Sequence, residues 1–580
     1  MNPITDPRRG DAEDDASSTK QRSLLSLAGS LLAEISFPKL IVAWILLIGL
    51  PGLLLGVAPV LSSIWLSTVS TKMAYALSGV WSALVLAAVV AIGWFGGQRL
   101  FRIAEGSFWA LASLAVQPLY AFAREAFRHL AEAVLARGAG QARRARLRAV
   151  SAAVAGAVVA VPAVLLIVWL WPSTHWVGTM ADLAAPGRLA LTAVANGAVL
   201  VAGYFAAAAL VWGVADATMD QPKTLHFAAG DAAAGPRRWR VAHLSDIHIV
   251  GERWGYRIEC GRSGPRGNDR LHRVFARLDA IHAASPLDLV LITGDVTDAG
   301  RSAEWAEFFD ALAPYPAIAA RLLIQPGNHD VNVVDRANPA RLDLPFSPSK
   351  RLRQVRALSA MAAVQGGRVR VVDLPAQTLG PTLDEALAPH RKMLRSFADT
   401  GAVRKVTAVG DLWARLFPMV LPPETPDGLG VVLLDSNADS HFSFTNALGL
   451  VSTEQMRRVE IAVEAYPEAS WIVALHHHVV EYPMPAKQLS ERIGTALVNG
   501  SWFVRRLQRG VPGAVVMHGH RHIDWIGTCG ALRVVSAPSP VMEATDERDT
   551  CFYVHTLAAG EAGRPVMLAP ERIVIPGVGP

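Results

Sequence analysis

Five short segments of the chain place Asp, Asn and His residues directly after apolar runs. The segments are Asp246–His248, Gly294–Asp298, Gly327–Asp330, His476–His478 and Gly519–His522. Their carboxylate, amide and imidazole groups provide enough ligands for two divalent metal ions. Two ions held close together generate a nucleophile from water at neutral pH and stabilise both ends of an in-line displacement at phosphorus. The segments therefore predict a site for metal-dependent hydrolysis of a phosphate ester.

The elements that must position these segments follow an alternating pattern of strands and helices. Strands are predicted at 239–244, 287–293, 318–325, 431–434, 471–475 and 514–517, and helices at 269–282, 302–312 and 350–364. Open α/β sheets bind ligands beyond the carboxyl ends of their strands, which is where the polar segments lie. The segment 331–430 is interpreted as an insertion or cap, and the loop 250–268 lies beside the first polar segment. Either could shape the choice of substrate.

The first 215 residues are too apolar for a soluble enzyme. The chain is 52% hydrophobic and 18% charged, with a mean hydropathy of +0.29. Stretches at 40–61, 73–95, 149–171 and 189–214 contain no Asp, Glu, Lys or Arg. A helix crosses a bilayer with about 20 mainly apolar residues. The stretches therefore predict four transmembrane helices, and their lack of charge argues against a proton or ion pathway.

The distribution of arginine predicts the orientation of these helices. The loop 96–148 contains nine Arg residues, whereas the loops 62–72 and 172–188 contain only Lys72 and Arg188. Cytoplasmic loops carry the excess of Lys and Arg. We therefore expect a multi-pass protein of the inner (plasma) membrane with both termini and the catalytic region in the cytoplasm. The three widely spaced cysteines are expected to be reduced thiols, which agrees with this location.

Two segments outside the expected helices need separate interpretation. The polar N-terminal region is too long and too charged for a cleaved secretory signal. Residues 108–135 have apolar residues at mixed helical spacing and include Arg124, Glu125 and Arg128. This pattern is compatible with an interfacial helix pair or with a cytoplasmic helical hairpin that contacts the catalytic region.

Taken in order, the five polar segments resemble the motif set of the calcineurin-like metallophosphoesterase family. The series Asp-x-His, Gly-Asp-x-x-Asp, Gly-Asn-His-Asp, His and Gly-His-x-His occurs within residues 239–555. The resemblance implies an α/β fold, a four-layer metallophosphoesterase β-sandwich flanked by helices, preceded here by an all-α region of four transmembrane helices. The expected division is a polar tail at 1–38, transmembrane helices at 39–214, a linker at 215–238 and a catalytic domain at 239–580.

The resemblance also implies a role for each polar residue. The ligands of the first ion would be Asp246, His248, Asp295 and His522, and those of the second would be Asp295, Asn328, His476 and His520. Asp295 would bridge the ions, and His329 would be a catalytic residue near the leaving group. The mixture of imidazole and carboxylate ligands suits Mn, Fe or Zn.

The polar residues next to these also have structural interpretations. Asp298 is expected to support a ligand or cap a helix, and Asp330 to orient His329 or a loop amide. Four further histidines are expected to lie behind the ligands or to be ordinary packed residues: His243, His477, His478 and His518.

The leading hypothesis is hydrolysis of a phosphodiester by a metal-bridging hydroxide at the cytoplasmic face of the membrane. The segments 244–248, 434–437 and 452–455 are similar to those of bacterial cyclic-nucleotide phosphodiesterases. Two alternatives stay open: hydrolysis of a lipid-linked pyrophosphate or lipid head group, and a membrane scaffold without catalysis. The expected partners are the phosphodiester and the lipid bilayer, and protein partners are left open. Nucleic acid is not expected, because residues 239–580 show no basic stripe with interleaved aromatics.

Overall fold

The computed structural model describes residues 36–76, 116–135, 141–227, 237–258, 260, 264–332, 334, 341–344, 346–441, 443–484, 497–542, 544–560 and 563–578. The chain divides into two compact units, which separate between Thr218 and Met219. The expected linker at 215–238 therefore contains the end of the first unit and the start of the second.

The first unit is helical. Its α-helices are α1 (Phe37–Trp44), α2 (Leu50–Ala76), α3 (Gln117–Leu135), α4 (Gln141–Leu170), α5 (Met180–Leu183) and α6 (Pro186–Ala217). Three described helices are long and apolar enough to cross a membrane, at Leu50–Val69, Arg143–Ser173 and Pro186–Ala217. They overlap the spans expected at 40–61, 149–171 and 189–214. The expected span at 73–95 lies outside the described residues apart from its start, so the number of four spans stays a prediction.

Small residues allow the long helices of this unit to approach closely. At Gly56 of α2 a Cβ would overlap a backbone carbonyl of α6, and at Gly156 of α4 it would lie 2.6 Å from the Ala209 oxygen of α6. Within lipid, close packing of small residues is a main source of helix association. Asn196 of α6 adds polar contacts, because its amide donates to Gly56 O at 3.1 Å and to His175 O at 2.6 Å.

The second unit contains two β-sheets and their flanking helices. The strands are β1 (Lys223–Thr224), β2 (Arg238–Leu244), β3 (Leu289–Ile292), β4 (Leu322–Ile324), β5 (Arg370–Asp373), β6 (Thr378–Thr382), β7 (Met419–Leu421), β8 (Leu429–Leu433), β9 (Ser470–Ala474), β10 (Val515–His518), β11 (Trp525–Cys529), β12 (Leu532–Ser536), β13 (Thr550–Ala558), β14 (Val566–Met567) and β15 (Glu571–Ile575). The helices are α7 (Asp269–Ala284), α8 (Ser302–Leu312), α9 (Pro316–Ala319), α10 (Asn328–Val331), α11 (Pro348–Gln365), α12 (Leu383–Leu387), α13 (Arg391–Thr400), α14 (Val406–Leu416), α15 (Thr453–Glu464) and α16 (Gly500–Gly510).

Parallel strands lie inside both sheets. The nine-stranded sheet has the order β1-β11-β12-β10-β9-β8-β7-β5-β6, and β8, β9, β10 and β12 are parallel. The six-stranded sheet has the order β14-β13-β2-β3-β4, with β15 paired to β13, and β2, β3 and β4 are parallel. Parallel neighbours end at the same edge of a sheet, where α/β proteins bind ligands. The mixed sheets agree with the expected α/β class, while the number of layers stays a prediction.

Alternate residues of the nine-stranded sheet face different cores. Val431 and Leu433 of β8 belong to a core cluster that also contains Val290 and Ile292 of β3. Val432 of β8 belongs to a second cluster with residues of α15 and α16. This alternation follows from the two-residue period of a strand. One face of the nine-stranded sheet therefore shares a core with the six-stranded sheet, and the other packs against helices.

Two sequence-based expectations need correction. The strand expected at 318–325 is shortened to Leu322–Ile324, because the short helix α9, which begins at Pro316, includes residues 318 and 319. The segment 331–430 is not simply an insertion or cap, because β5, β6 and β7 within it extend the nine-stranded sheet. The helices expected at 269–282, 302–312 and 350–364 are α7, α8 and α11.

The close contact at Gly156 can be tested with a matched glycine on α6. Gly156→Ala should lower the thermal unfolding midpoint of the detergent-solubilised protein, because its Cβ would meet the Ala209 oxygen and overpacking typically costs about 1–3 kcal/mol. Gly203→Ala is the control, since its Cβ would meet only Ile167 Cδ1 at 3.8 Å. Both substitutions raise the intrinsic helix propensity by the same amount, so this effect cancels in the comparison. Equal midpoints for the two variants would contradict the close packing of α4 on α6.

Candidate metal centre

The polar segments follow parallel strands of both sheets. The residues and their strands are Asp246 after β2, Asp295 after β3, Asn328 after β4, His476 after β9 and His520 after β10. The candidate site therefore lies where the carboxyl ends of strands from two different sheets meet.

The backbone is strained at most of the expected ligands. Within the described residues, left-handed φ values occur at six non-glycine positions, one of which is Gln377. The other five are Asp246 (56°), His248 (48°), Asp295 (50°), His520 (74°) and His522 (51°). Such conformations cost about 1–3 kcal/mol each and persist where the surrounding structure determines them, often at functional sites.

Asp246, His248 and His522 form a first group of possible ligand atoms. One atom from each lies within 4.8 Å of the others. His522 Nε2 lies 3.2 Å from Asp246 Oδ1, and His248 Nδ1 lies 3.3 Å from Asp298 Oδ1. The other oxygen of Asp298 accepts from Ile258 N at 2.8 Å. Asp298 therefore lies on the Nδ1 side of the His248 ring, where a carboxylate behind a metal-binding histidine commonly lies, and it also forms a further group of possible ligand atoms with His248 and His329.

Asp295, His476 and His520 form a second group, and Asn328 joins it. His476 Nδ1 donates to Thr293 O at 2.8 Å, so in the neutral ring the lone pair is on Nε2. This Nε2 lies 3.1 Å from Asp295 Oδ2, from Asn328 Oδ1 and from His520 Nδ1. Several atoms that can each donate a lone pair therefore face one another, which is the arrangement expected around a cation.

The Asp295 carboxylate connects the two groups. Its Oδ2 lies 3.1 Å from His476 Nε2 in the second group and 3.7 Å from His248 Nε2 in the first. Its Oδ1 accepts from the backbone N–H of His329 at 2.8 Å. These distances place Asp295 between the two groups of possible ligand atoms.

Burial and neighbouring charges determine the protonation of the site. Burial raises the pKa of Asp295, but His476 and His329 outweigh this effect and hold the pKa well below its usual range. Burial lowers the pKa of His476, but Asp295 outweighs burial and raises it to about 9. Burial, together with His477 and His476, lowers the pKa of His520. A proton and a metal ion compete for the same nitrogen, so the field that favours a proton on His476 also favours a cation.

The residues present fit two divalent cations. Asp246 and Asp295 are 0% and 2% exposed. Among the described residues, their ion-pair partners are histidines, and neither carboxylate pairs with a Lys or Arg. Buried carboxylates need compensating positive charge, because an uncompensated buried charge is costly. Two cations would supply this charge, and the mixed donors suit Mn, Fe or Zn.

Asp330 holds two of the ligand-bearing loops together. It is 0% exposed, and burial and Asp295 raise its pKa to about 6. Its carboxylate accepts from the backbone N–H groups of Val296, Thr297 and Gly327. These hydrogen bonds connect the loop that carries Asp295 to the loop that carries Asn328. Asp330 thus binds loop amides, and it supports the ligands without belonging to either group.

Ser436 and Thr293 fix the histidines of the fourth segment, and neither is among the predicted site residues. Ser436 Oγ accepts from the backbone N–H groups of His476 and His477 at 3.2 Å, and it lies 2.9 Å from His477 Nδ1. Thr293 O accepts from His476, and Thr293 Oγ1 lies 3.1 Å from His243 Nε2. Thr293 directly precedes Gly294 of the second polar segment, and this position was the signal in the sequence that could have identified it. Ser436 lies in a segment used only for its resemblance to a subgroup.

The other histidines near the site lie behind the ligands. His478 stacks on His520 with ring centroids 6.1 Å apart. Burial and His478 lower the pKa of His518 to about 3, so this imidazole is neutral. Within the described residues, the candidate ligand groups contain neither of these histidines, nor His243 or His477.

Gly327 offers a test of metal binding in which no proposed ligand residue is replaced. A Cβ at Gly327 would overlap the carboxylate and backbone nitrogen of Asp295, so Gly327→Ala should displace Asp295 and lower the metal content. The control is Gly367→Ala, whose Cβ would meet only Asp384 Oδ2 at 3.9 Å. Both purified proteins are equilibrated with Mn and desalted, and bound metal is measured by mass spectrometry. A full complement of metal in Gly327→Ala would contradict the proposed position of Asp295.

Comparison with known proteins agrees with this geometry. Residues 240–396 match the calcineurin-like phosphoesterase family. No curated protein matches the chain. Among solved structures, a dimetal phosphatase from Danio rerio is 12% identical with a TM-score of 0.34, covering 59% of this chain and 99% of that one. Purple acid phosphatase PPD1 from yellow lupin (Lupinus luteus) is 11% identical with a TM-score of 0.26, covering 56% of this chain and 50% of that one. TM-scores this low carry no argument, but the family match and the site identify a calcineurin-like phosphoesterase domain that includes residues 240–396.

Proposed function

We propose that the second unit hydrolyses phosphodiesters with two divalent cations bound by the seven expected ligands. The observation that carries the proposal is the position of Asp295 Oδ2, 3.1 Å from His476 Nε2 and 3.7 Å from His248 Nε2. This carboxylate lies between two groups of ligand atoms drawn from distant parts of the chain. Membership of the phosphoesterase family supports the reaction class.

The proposed ligands divide between the two ions as the geometry suggests. The first ion would be held by Asp246, His248, Asp295 and His522, and the second by Asp295, Asn328, His476 and His520. When bound, the ions supply Lewis-acid stabilisation of phosphoryl oxygens and a water of lowered pKa. The protein contributes a rigid arrangement of donors, so little reorganisation is needed when the substrate binds.

His329 is the proposed catalytic residue. It is 2% exposed, and its Nδ1 donates to Asp298 O at 2.7 Å. This hydrogen bond fixes the ring, and Nε2 is the atom that would exchange a proton with the substrate. A protonated Nε2 would donate to the leaving alkoxide or to a phosphoryl oxygen. The backbone N–H of His329 also binds Asp295, so the proposed acid and the shared carboxylate move together.

The preference for a diester is supported by the segment 434–437, which resembles that of cyclic-nucleotide phosphodiesterases. In this segment Asn437 Nδ2 donates to Pro326 O at 3.2 Å, and Asp435 accepts from Trp413 Nε1 at 2.6 Å. The segment therefore contacts the loop that carries Asn328. This contact gives the resembling residues a role next to the proposed ligands.

The proposed location is the cytoplasmic face of the inner membrane, with the first unit crossing the bilayer. Three described helices have the length and apolar character that this needs. The nine arginines in the loop 96–148 support a cytoplasmic position for that loop and for the second unit.

The catalytic proposal predicts that Asp295→Asn and His520→Ala reduce hydrolysis of bis(p-nitrophenyl) phosphate to background. Each change removes a proposed ligand, and Asp295 would serve both ions. The matched controls are Asp310→Asn and His226→Ala, which alter exposed residues of the same types. Release of p-nitrophenol is measured with Mn added, and circular dichroism checks that every variant is folded. Full activity in either site variant would refute the mechanism.

A substrate panel tests the diester preference. The full-length protein is expected to hydrolyse cyclic nucleotides or glycerophosphodiesters faster than lipid pyrophosphates when Mn is added. Faster turnover of lipid pyrophosphates would favour the lipid-directed alternative. Bound metal without turnover of any of these compounds would favour the non-catalytic scaffold.

A further inference from the structure

The helix α3 buries its charged face. Glu125 and Arg128 are both 4% exposed, although charged side chains normally face water. Arg128 Nε lies 3.1 Å from Glu132 Oε1, which also lies 3.2 Å from Arg148 Nε of α4. One turn nearer the N-terminus than Arg128, Arg124 Nη1 lies 2.7 Å from Asp216 Oδ2 of α6. The charges of α3 are therefore compensated by partners on α4 and α6.

The opposite face of α3 is apolar and exposed. The exposed fractions are 49% for Leu119, 40% for Phe122, 61% for Leu130 and 66% for Val134. At 100° per residue these four side chains fall on one side of the helix, opposite Arg128. A helix on a water-soluble protein shows the reverse arrangement, with its apolar stripe inside and its charges outside.

The ion pairs of α3 show which part of α4 and α6 it contacts. Arg148 lies near the N-terminal end of the apolar helix Arg143–Ser173, and Asp216 lies at the C-terminal end of the helix Pro186–Ala217. Both contacts therefore lie where the apolar stretches end. On α4, Val150 and Val154 are 59% and 39% exposed, so exposed apolar surface begins within two residues of Arg148.

Exposed basic residues lie at the same level of the unit. Arg143, Arg144 and Arg146 precede Arg148 on α4, and all three are exposed. Arginine next to an apolar helix suits the phosphate groups of phospholipids. The part of the unit where α3 contacts α4 therefore presents an exposed apolar face next to exposed arginines. This combination is typical of helices that lie in the interface of a membrane.

We propose that α3 lies in the cytoplasmic interface of the bilayer, with Leu119, Phe122, Leu130 and Val134 among the acyl chains. Phospholipid is the proposed partner of this apolar face. The ion pairs with Asp216 and Arg148 hold α3 against α6 and α4. The inference rests on the proposal that α4 and α6 cross a membrane. It resolves the two interpretations of residues 108–135 in favour of an interfacial helix for the described part.

The test uses full-length protein in phospholipid nanodiscs, with Cys260→Ser to remove the cysteine that is not buried. A bimane label at Leu130→Cys is exposed either to a doxyl group on a lipid acyl chain or to iodide in water. The controls are Val161→Cys on α4, which is 55% exposed within a proposed span, and Val403→Cys of the second unit, which is 57% exposed. Phe122→Cys replaces Leu130→Cys if that variant does not fold.

The label at Leu130 should be quenched by the lipid-borne doxyl group to an extent similar to Val161, and much less by iodide than the label at Val403. Quenching by iodide to the level of Val403 would overturn the proposal, because α3 would then lie in water. Protection from both quenchers would also overturn it, because protein would then cover the helix. If Val161 itself escapes the doxyl group, the spanning proposal fails, and this result is distinct from failure at Leu130 alone.

Discussion

The second unit depends on one electrostatic constraint: two buried carboxylates and several imidazoles face one another with little positive charge nearby. Asp246 and Asp295 have histidines as their ion-pair partners within the described residues. Such a cluster is costly in a protein interior unless cations or protons neutralise it. The loops, hydrogen bonds and strained backbone around it can be understood as the means of holding this cluster in place.

The strain is distributed over separate loops, and each loop is held by the others. Left-handed backbone at Asp246, His248, Asp295, His520 and His522 would relax if any loop were free. Asp330 accepts three backbone hydrogen bonds from the loops of Asp295 and Asn328, and His520 N donates to both oxygens of Asp246 at 3.1 and 2.9 Å. The hydrogen bonds from His520 N to Asp246 join the two sheets directly, because His520 follows β10 and Asp246 follows β2.

Residue types and their order predicted which segments would meet, because each polar segment lies within a few residues of the end of a strand. The spacing alone could not select one histidine of His476–His478, and it was the family resemblance that pointed to His476, which the structure places in the second group of possible ligand atoms. That choice depends on the sheet register and on Ser436, which lies 40 residues earlier and binds the neighbouring ring. The strands β5 to β7 were also missed, since pairing at a sheet edge depends on partners distant in the chain. The buried charges of α3 were ambiguous for the same reason, because Asp216 lies 92 residues beyond Arg124.

The position of the centre between two sheets has a consequence for folding. Ions bound there would act as cross-links between chain segments that are far apart, closing loops of very different lengths at one point. Closing them in the unfolded chain would cost considerable entropy, so assembly of the sheets and uptake of metal should be mutually reinforcing. The loops that connect one ligand segment to the next would not themselves contact the ions. They are therefore the parts of the molecule in which length and composition can change while the chemistry at the strand ends is retained.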